Sequence, residues 1–541
     1  MEQQIYSMSK MKFMNYILNE KAYCFIILAL ALSLTHQALF FTWTNDDSFI
    51  SYRYAENLSS GRGLVFNPGE KVEGYSNFLW VMVLTLWNLL GINPLIPSKI
   101  ISLIISLFLI LLVYKTALVF GISKISSSLA ALTLSFSASL AYYSMSGLET
   151  VFYTFLLLLS IFINEKYETE QKKKYFYFLY GILLAAALTR PEGLLFLVFS
   201  SLYHFLKKLV TKKGISIEKI IVTQILAFSL YILFILSRYF YYGEIVPNTF
   251  YAKPIGTFVE EGYNALYANA VNSFFSGSFF LIPILIFIIQ KKFLTKYAYL
   301  LLFCLGQVIF LSYAGDWMAL GRFFLPILPG VIILIFSLLS LMEKSSQRSS
   351  PKFLWKFASL LTVMLFAGLN IYQTVKAINE KENYPYNVMR SASLVQLGKW
   401  LNQEFPPQTV MALRRQGAIP YYSKMKSLDI LGLTEKRIAK KVYREKDLLK
   451  RNQTTAAYIL DQRPDIIILF SSPSESEGWT FDKSRPDETF YHVEYLIYKD
   501  ALKMKYTLFD CRLSGKKEKA YILVCPEKNK DLFHERAANA F

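Results

Sequence analysis

The chain has 541 residues, 54% of them hydrophobic, 16% aromatic and only 18% charged. Soluble chains beyond about 250–300 residues divide into domains rather than enlarge one apolar core, so this composition excludes a soluble protein and points to a polytopic membrane protein. The formal net charge of +19, from 58 Lys+Arg against 39 Asp+Glu, is expected in cytoplasmic loops rather than in a nucleic-acid patch. Four scattered His (His36, His204, His492, His534) and four scattered Cys (Cys24, Cys304, Cys511, Cys525) fit no metal-ligand spacing and no disulfide framework.

The first run long enough to cross about 30 Å of hydrocarbon is 22–41, and Lys10, Lys12 and Lys21 before it predict a cytoplasmic N-terminus and an uncleaved first helix. A loop at 43–77 follows. Further apolar segments are expected at 78–91, 99–120, 125–143, 149–164, 175–189, 193–210, 219–242, 272–290, 297–314, 323–342 and 353–372. Basic loops at 166–174, 207–219, 291–296 and 344–356 are each separated by two segments, so all four are assigned to the cytoplasm. That places 144–149, 190–193, 243–270, 315–322 and everything after 372 outside. The count closes with eleven spans if 78–91, short and interrupted by Asn88, lies at the interface or re-enters. The fold class expected is therefore mainly α: a transmembrane helical module over 1–372 and an extracytoplasmic α/β domain over 373–541.

In that second domain strands are expected at Thr409–Leu413, Asp465–Phe470, Tyr506–Asp510 and Tyr521–Val524. The basic stretch Lys436, Arg437, Lys440, Lys441, Arg444, Lys446, Lys450 and Arg451 reads either as a face for anionic headgroups or as a solvated helix face. Cys511 and Cys525 flank a turn at Ser514–Lys519 whose register sets Cys511 nearer Ile522, so a bridge between them is not favoured.

The chemistry concentrates after the first helix, in Asn45-Asp46-Asp47-Ser48 and on to Arg53. Adjacent carboxylates are costly near lipid and suit the N-terminus of a surface helix, so Asp46 and Asp47 read either as a cap for a helix starting near Ser48 or as a working pair. Arg53, about two turns on, is placed to meet those carboxylates or a phosphate. The Gly/Pro/Asn-rich run from Gly61 to Asn77 must turn sharply.

The run from Asp46 to Trp80 resembles the signature of the bacterial GT-C glycosyltransferases related to the mycobacterial terminal arabinofuranosyltransferase and the flagellar motor control protein. The resemblance continues through Met145–Thr150, Arg190–Gly193, Arg238-Tyr239, Pro247–Lys253, Gly315–Met318 with Arg322-Phe323, Asp429–Thr434 and Arg463–Asp465. Every block falls outside by the Lys/Arg assignment alone. The resemblance implies a GT-C fold in a bacterial cytoplasmic (inner) membrane. It further implies a polyprenyl-phosphate sugar donor, an extracytoplasmic glycan, lipid or protein acceptor, and an essential acidic pair in the first outer loop.

On that basis Asp46 and Asp47 are the catalytic candidates, accepting the acceptor hydroxyl's proton or stabilising an oxocarbenium-like centre. Arg53, Arg190, Lys253 and Arg322 are the candidates for the donor phosphate, and Glu149, Glu192, Arg238, Asn248, Tyr251 and Asp316 are further site candidates. Singly, Arg190 and Arg238 also read as snorkelling cations, and Glu149 and Glu192 as helix-start residues. No cofactor is predicted, and the pattern leaves open a divalent cation at the acidic pair. Expected partners are the lipid-linked donor, the acceptor and membrane lipids, with no nucleic acid. Two alternatives stand beside this: a non-catalytic membrane assembly factor on the same fold, and a lipid or sugar transporter, although transporters usually carry internal repeats that this chain lacks.

Overall fold

The computed structural model describes residues 2–211, 214–252, 291–314, 318, 320–345, 352–379, 390–445, 447–470, 486–512 and 519–526. Packing groups the chain into two compact units assembled from interleaved segments: Met1–Trp43, Leu95–Leu233 and Thr257–Tyr386 in one, Thr44–Pro94, Phe234–Gly256 and Asn387–Phe541 in the other.

The first unit is helical. Five described helices are long and apolar enough to cross a membrane: Glu20–Ala38, Leu95–Val119, Gly193–Val210, Leu354–Asn379 and Ile217–Tyr242, which runs on into the second unit. The protein is a multi-pass membrane protein. Many of these helices' aliphatic side chains face outward, Val222, Ile225 and Leu233 among them, a surface that needs lipid rather than water beside it. Just past the end of the first helix, Lys99 Nζ donates to the carbonyls of Phe41 and Trp43 at 2.7 and 2.8 Å, supplying partners for peptide groups of the turn that follows.

The segment expected at 125–143 is two helices, Lys124–Ser135 and Ala138–Met145, bent by 57°. Ser137 makes the break: its hydroxyl accepts the Leu140 N–H and starts the second helix, while Asn370 Oδ1 accepts the Ala138 N–H at 3.0 Å. Helices Thr150–Glu170, Lys173–Thr189, Lys291–Ala314 and Leu328–Ser345 match other expected segments. The segment expected at 272–290 lies outside the described residues.

The second unit holds the sheet, in the order β2-β1-β3-β5-β4. The strands are β1 Val410–Leu413, β2 Lys426–Asp429, β3 Ile466–Leu469, β4 Thr507–Arg512 and β5 Lys519–Val524. β2, β1 and β3 are parallel; β5 runs antiparallel to β3 and β4. β3 is Ile-Ile-Ile-Leu, buried throughout, as a strand covered on both faces requires. Ile459, Ile497 and Leu523 pack around it with Ile467 and Leu469. The register sets Cys511 opposite Ala520 and Phe509 opposite Ile522, two residues away from the expected pairing, and Cys525 is a free thiol.

Two helices between the first and the next described span belong to this unit. Asp46–Ser59 is one. The other, Phe78–Leu89, has twelve residues and a length of about 18 Å, short of the hydrocarbon thickness.

Candidate active site

The helix Asp46–Ser59 is capped by Asn45, whose Oδ1 accepts the Asp47 N–H at 2.9 Å. The cap expected from the acidic pair is therefore supplied one residue earlier, and the two carboxylates have other employment. Asp46 is buried, and its Oδ1 accepts the Ala418 N–H at 2.8 Å, at the first residue of the short helix Ala418–Ser423. A Cβ at position 417 would overlap Asp46, so glycine is required there. Burial pushes the Asp46 carboxyl up to about 6; the Ala418 N–H and Arg415 act against this, and the neighbouring Asp47 adds to it. Asp47 is half-buried, and its carboxylate has no hydrogen bond or ion pair among the described residues.

Arg53 does not reach the acidic pair. Its Nε donates to Phe66 O at 2.8 Å, Nη1 to Pro420 O, and Nη2 to Met425 O at 2.7 Å and Asn67 Oδ1 at 3.2 Å. The guanidinium also lies over the Phe66 ring at 4.5 Å. Burial pushes it down to about 10. Four of these contacts are to oxygens of the fold, three of them backbone carbonyls, so Arg53 ties the first loop to the segment between β1 and β2.

The other blocks in this unit interlock in the same manner. Arg238 Nε and Nη2 both meet Glu73 Oε2, at 2.9 and 2.8 Å, and burial pushes the Glu73 carboxyl up to about 6. The Glu73 carbonyl accepts the Asn248 N–H, and Asn248 Nδ2 donates to Gly432 O and Leu433 O at 2.7 and 3.0 Å. Gly74 passes so close to the 433–434 turn that a Cβ would lie 2.6 Å from Thr434 Cγ2. Asp429 shapes that turn by accepting the N–H groups of Leu431 and Thr434, and burial pushes it up to about 7. Tyr251 donates to Glu244. Arg238 and Asn248 are thus brought together with Glu73 and the 429–434 turn, while Tyr251 meets Glu244.

In the first unit, Glu149, Arg190, Glu192 and Arg322 form one buried ion cluster. Arg190 Nη1 donates to Glu149 Oε1 at 2.5 Å and Nε to Glu192; Arg322 Nη2 donates to Glu149 Oε1 at 2.8 Å and Nε to Thr150 Oγ1 at 3.2 Å. Both guanidiniums lie near the Phe323 ring. Lys253 and Asp316 lie outside the described residues. Among the described residues no three His, Cys, Asp or Glu side chains converge as a metal site.

Arg415 and Gly417 escaped the sequence reading. Arg415 is electrostatically coupled to Asp46 and sits over the Phe470 ring at 4.7 Å. The visible signal was a doubled cation followed by a glycine just before Ala-Ile-Pro, Arg414-Arg415-Gln416-Gly417, far from the acidic pair in the chain.

A family model described as "Domain of unknown function (DUF8728)" matches residues 379–520. No curated protein matches by sequence. Among solved structures, ArnT from Cupriavidus metallidurans in the apo state is similar with a TM-score of 0.56 at 11% identity, covering 93% of this chain and 98% of that one. The same ArnT bound to undecaprenyl phosphate gives 0.56 at 11% identity, covering 92% and 97%. The Archaeoglobus fulgidus oligosaccharyltransferase tethered with an acceptor peptide gives 0.53 at 12% identity, covering 92% and 74%. The chain has the GT-C fold, with a C-terminal domain built on a small sheet.

Proposed function

We propose that the protein is a membrane glycosyltransferase that moves a sugar from a polyprenyl-phosphate donor to an acceptor hydroxyl, with Asp46 as the proton acceptor. The observation that carries this reading is the carboxylate itself. Asp46 is held at one oxygen by the Ala418 N–H, and its pKa lies close to neutral, where a general base combines the right protonation state with driving force. As the acceptor oxygen bonds to the anomeric carbon, its proton passes to Asp46, and the bond from that carbon to the phosphate oxygen breaks to release the lipid phosphate. Asp47, adjacent and unpaired among the described residues, supplies negative charge toward the developing oxocarbenium centre.

Arg190, balanced between two glutamates, is a strut. Arg322 shares Glu149 with it and, among the described residues, has donors without a partner, so of this cluster it is our candidate for the phosphate. The likeness along nearly the whole chain to an ArnT bound to undecaprenyl phosphate supports the donor class. The proposed setting is the outer face of a bacterial cytoplasmic membrane, supported by the Lys/Arg distribution.

A structural reading competes, because Asp46 caps a helix. Asparagine separates the two: it can still accept the Ala418 N–H but takes no proton. We expect Asp46→Asn to keep the melting temperature and to lose about 10²–10⁴ in turnover per folded molecule. Unchanged turnover would leave Asp46 with the cap alone.

A further inference from the structure

The basic helix Lys436–Arg444 is fixed in orientation by its inner face, where Ile438 and Ala439 are buried, Ile438 against the sheet's core. At about 100° per residue, Lys436, Lys440, Arg444, Arg437 and Lys441 fall in that order within roughly 140° of arc on the opposite side. One edge of this cationic face is spent. Lys436 and Lys440 both pair with Glu244, at 2.8 and 2.6 Å, and Lys436 Nζ lies 3.4 Å from the Tyr242 carbonyl. The rest of the face, Arg437, Lys441 and Arg444, is exposed and has no ion pair among the described residues.

Those pairings also fix where the helix stands. Tyr242 is the last residue of the Ile217–Tyr242 span, a 26-residue apolar helix that buries little of its surface. Its final turns still present apolar surface outward, with Phe240 81% exposed, and Ile245 just beyond Glu244 is exposed as well. Lys436 and Lys440 therefore hold the basic helix within two residues of the point where a lipid-facing span leaves the hydrocarbon. That is the level of the phospholipid phosphates, and cations clustered at the end of a span are attracted to anionic lipid.

We propose that the Lys436–Arg444 helix is a docking face for anionic phospholipid headgroups of the bilayer, contacted by Arg437, Lys441 and Arg444. The two guanidiniums offer phosphate a planar fork of donors, and the ammonium between them adds charge. Headgroups bound there secure the second unit to the membrane surface at the end of the Ile217–Tyr242 helix, a role separate from sugar transfer.

The test is native mass spectrometry of the full-length protein in detergent, titrated with phosphatidylglycerol or phosphatidylcholine, for wild type and for Arg437→Gln/Lys441→Gln/Arg444→Gln. Phosphatidylglycerol affinity is expected to fall about fivefold for each cation neutralised, with phosphatidylcholine retention unchanged. The charge-keeping variant Arg437→Lys/Arg444→Lys should hold most of the phosphatidylglycerol, and all variants should melt with wild type because the three side chains are exposed. Equal phosphatidylglycerol binding by the triple variant overturns the proposal. So does a loss shared equally by both lipids, or displacement of the lipid by inorganic phosphate at matching concentration, which would mark a free-anion site.

Discussion

At Asp46 one side chain serves a helix it does not belong to. Its raised pKa comes first from burial and is increased by Asp47. If the carboxylate is the base, turnover should rise with pH through about 6, where Asp46 loses its proton. Asp47→Asn removes the adjacent negative charge, so it should shift that limb to lower pH as well as slow transfer; pH–rate profiles of both variants check this. Arg53 carries the opposite expectation. Arg53→Ala leaves Met425 O without this donor and Phe66 O and Pro420 O with one partner each, from Asn57 Nδ2 and the Lys424 N–H, which should cost about 1–3 kcal/mol in stability. Donor affinity measured on the remaining folded protein should stay within about twofold, and thermal melts beside donor titrations separate the two effects. The acidic pair was legible because two adjacent carboxylates at a helix exit demand explanation. Arg53's role was not, since a cation two turns away points to the pair on a helical wheel while two of its four hydrogen-bond partners lie 367 and 372 residues on.

Among elements, Phe78–Leu89 shows how composition and burial combine. Trp80, Val81, Leu84 and Thr85 are buried, while Leu86, Leu89 and Leu90 remain more than half exposed. With both faces apolar and too little length to cross, the helix suits the membrane surface, its leucines dipping toward acyl chains. A nitroxide at Leu89 in nanodiscs should report a depth of about 5–10 Å below the headgroups; a midplane position would make the helix part of a crossing. Four of the five strands were readable because each holds a short aliphatic or aromatic run bounded by polar residues. β2 was missed: Lys426-Ser427-Leu428-Asp429 has one aliphatic side chain, and its strand character comes from parallel pairing with β1, a contact that local pattern does not encode. The break at Ser137 was missed similarly, because seven apolar residues in Leu129–Ser139 conceal which of the hydroxyls among them is the cap.

On the scale of the whole molecule, the last described span runs to Asn379, past the composition change at 372, and compactness draws 44–94 and 234–256 to the C-terminal residues. Asp46, Glu73 and Asp429 all lie in that second unit with folded-state pKa values above their ordinary ones, at about 6, 6 and 7. The folded state then binds more protons than the unfolded chain between about pH 4 and pH 7. The stability these groups contribute is full below about 4 and is lost as pH rises to about 7. Chemical denaturation followed by near-ultraviolet circular dichroism should show the second unit weakening over that window, and Asp429→Asn should flatten the upper part. The interleaving has a consequence in time. The donor that orients Asp46 is 372 residues downstream, so a ribosome adding 5–20 residues per second reaches Ala418 only about 20–70 s after Asp46 is made. During that interval Asp46 lacks the N–H that it accepts and Arg53 lacks the Pro420 and Met425 carbonyls, so the buried contacts of the first loop close only once the segment between β1 and β2 has been made.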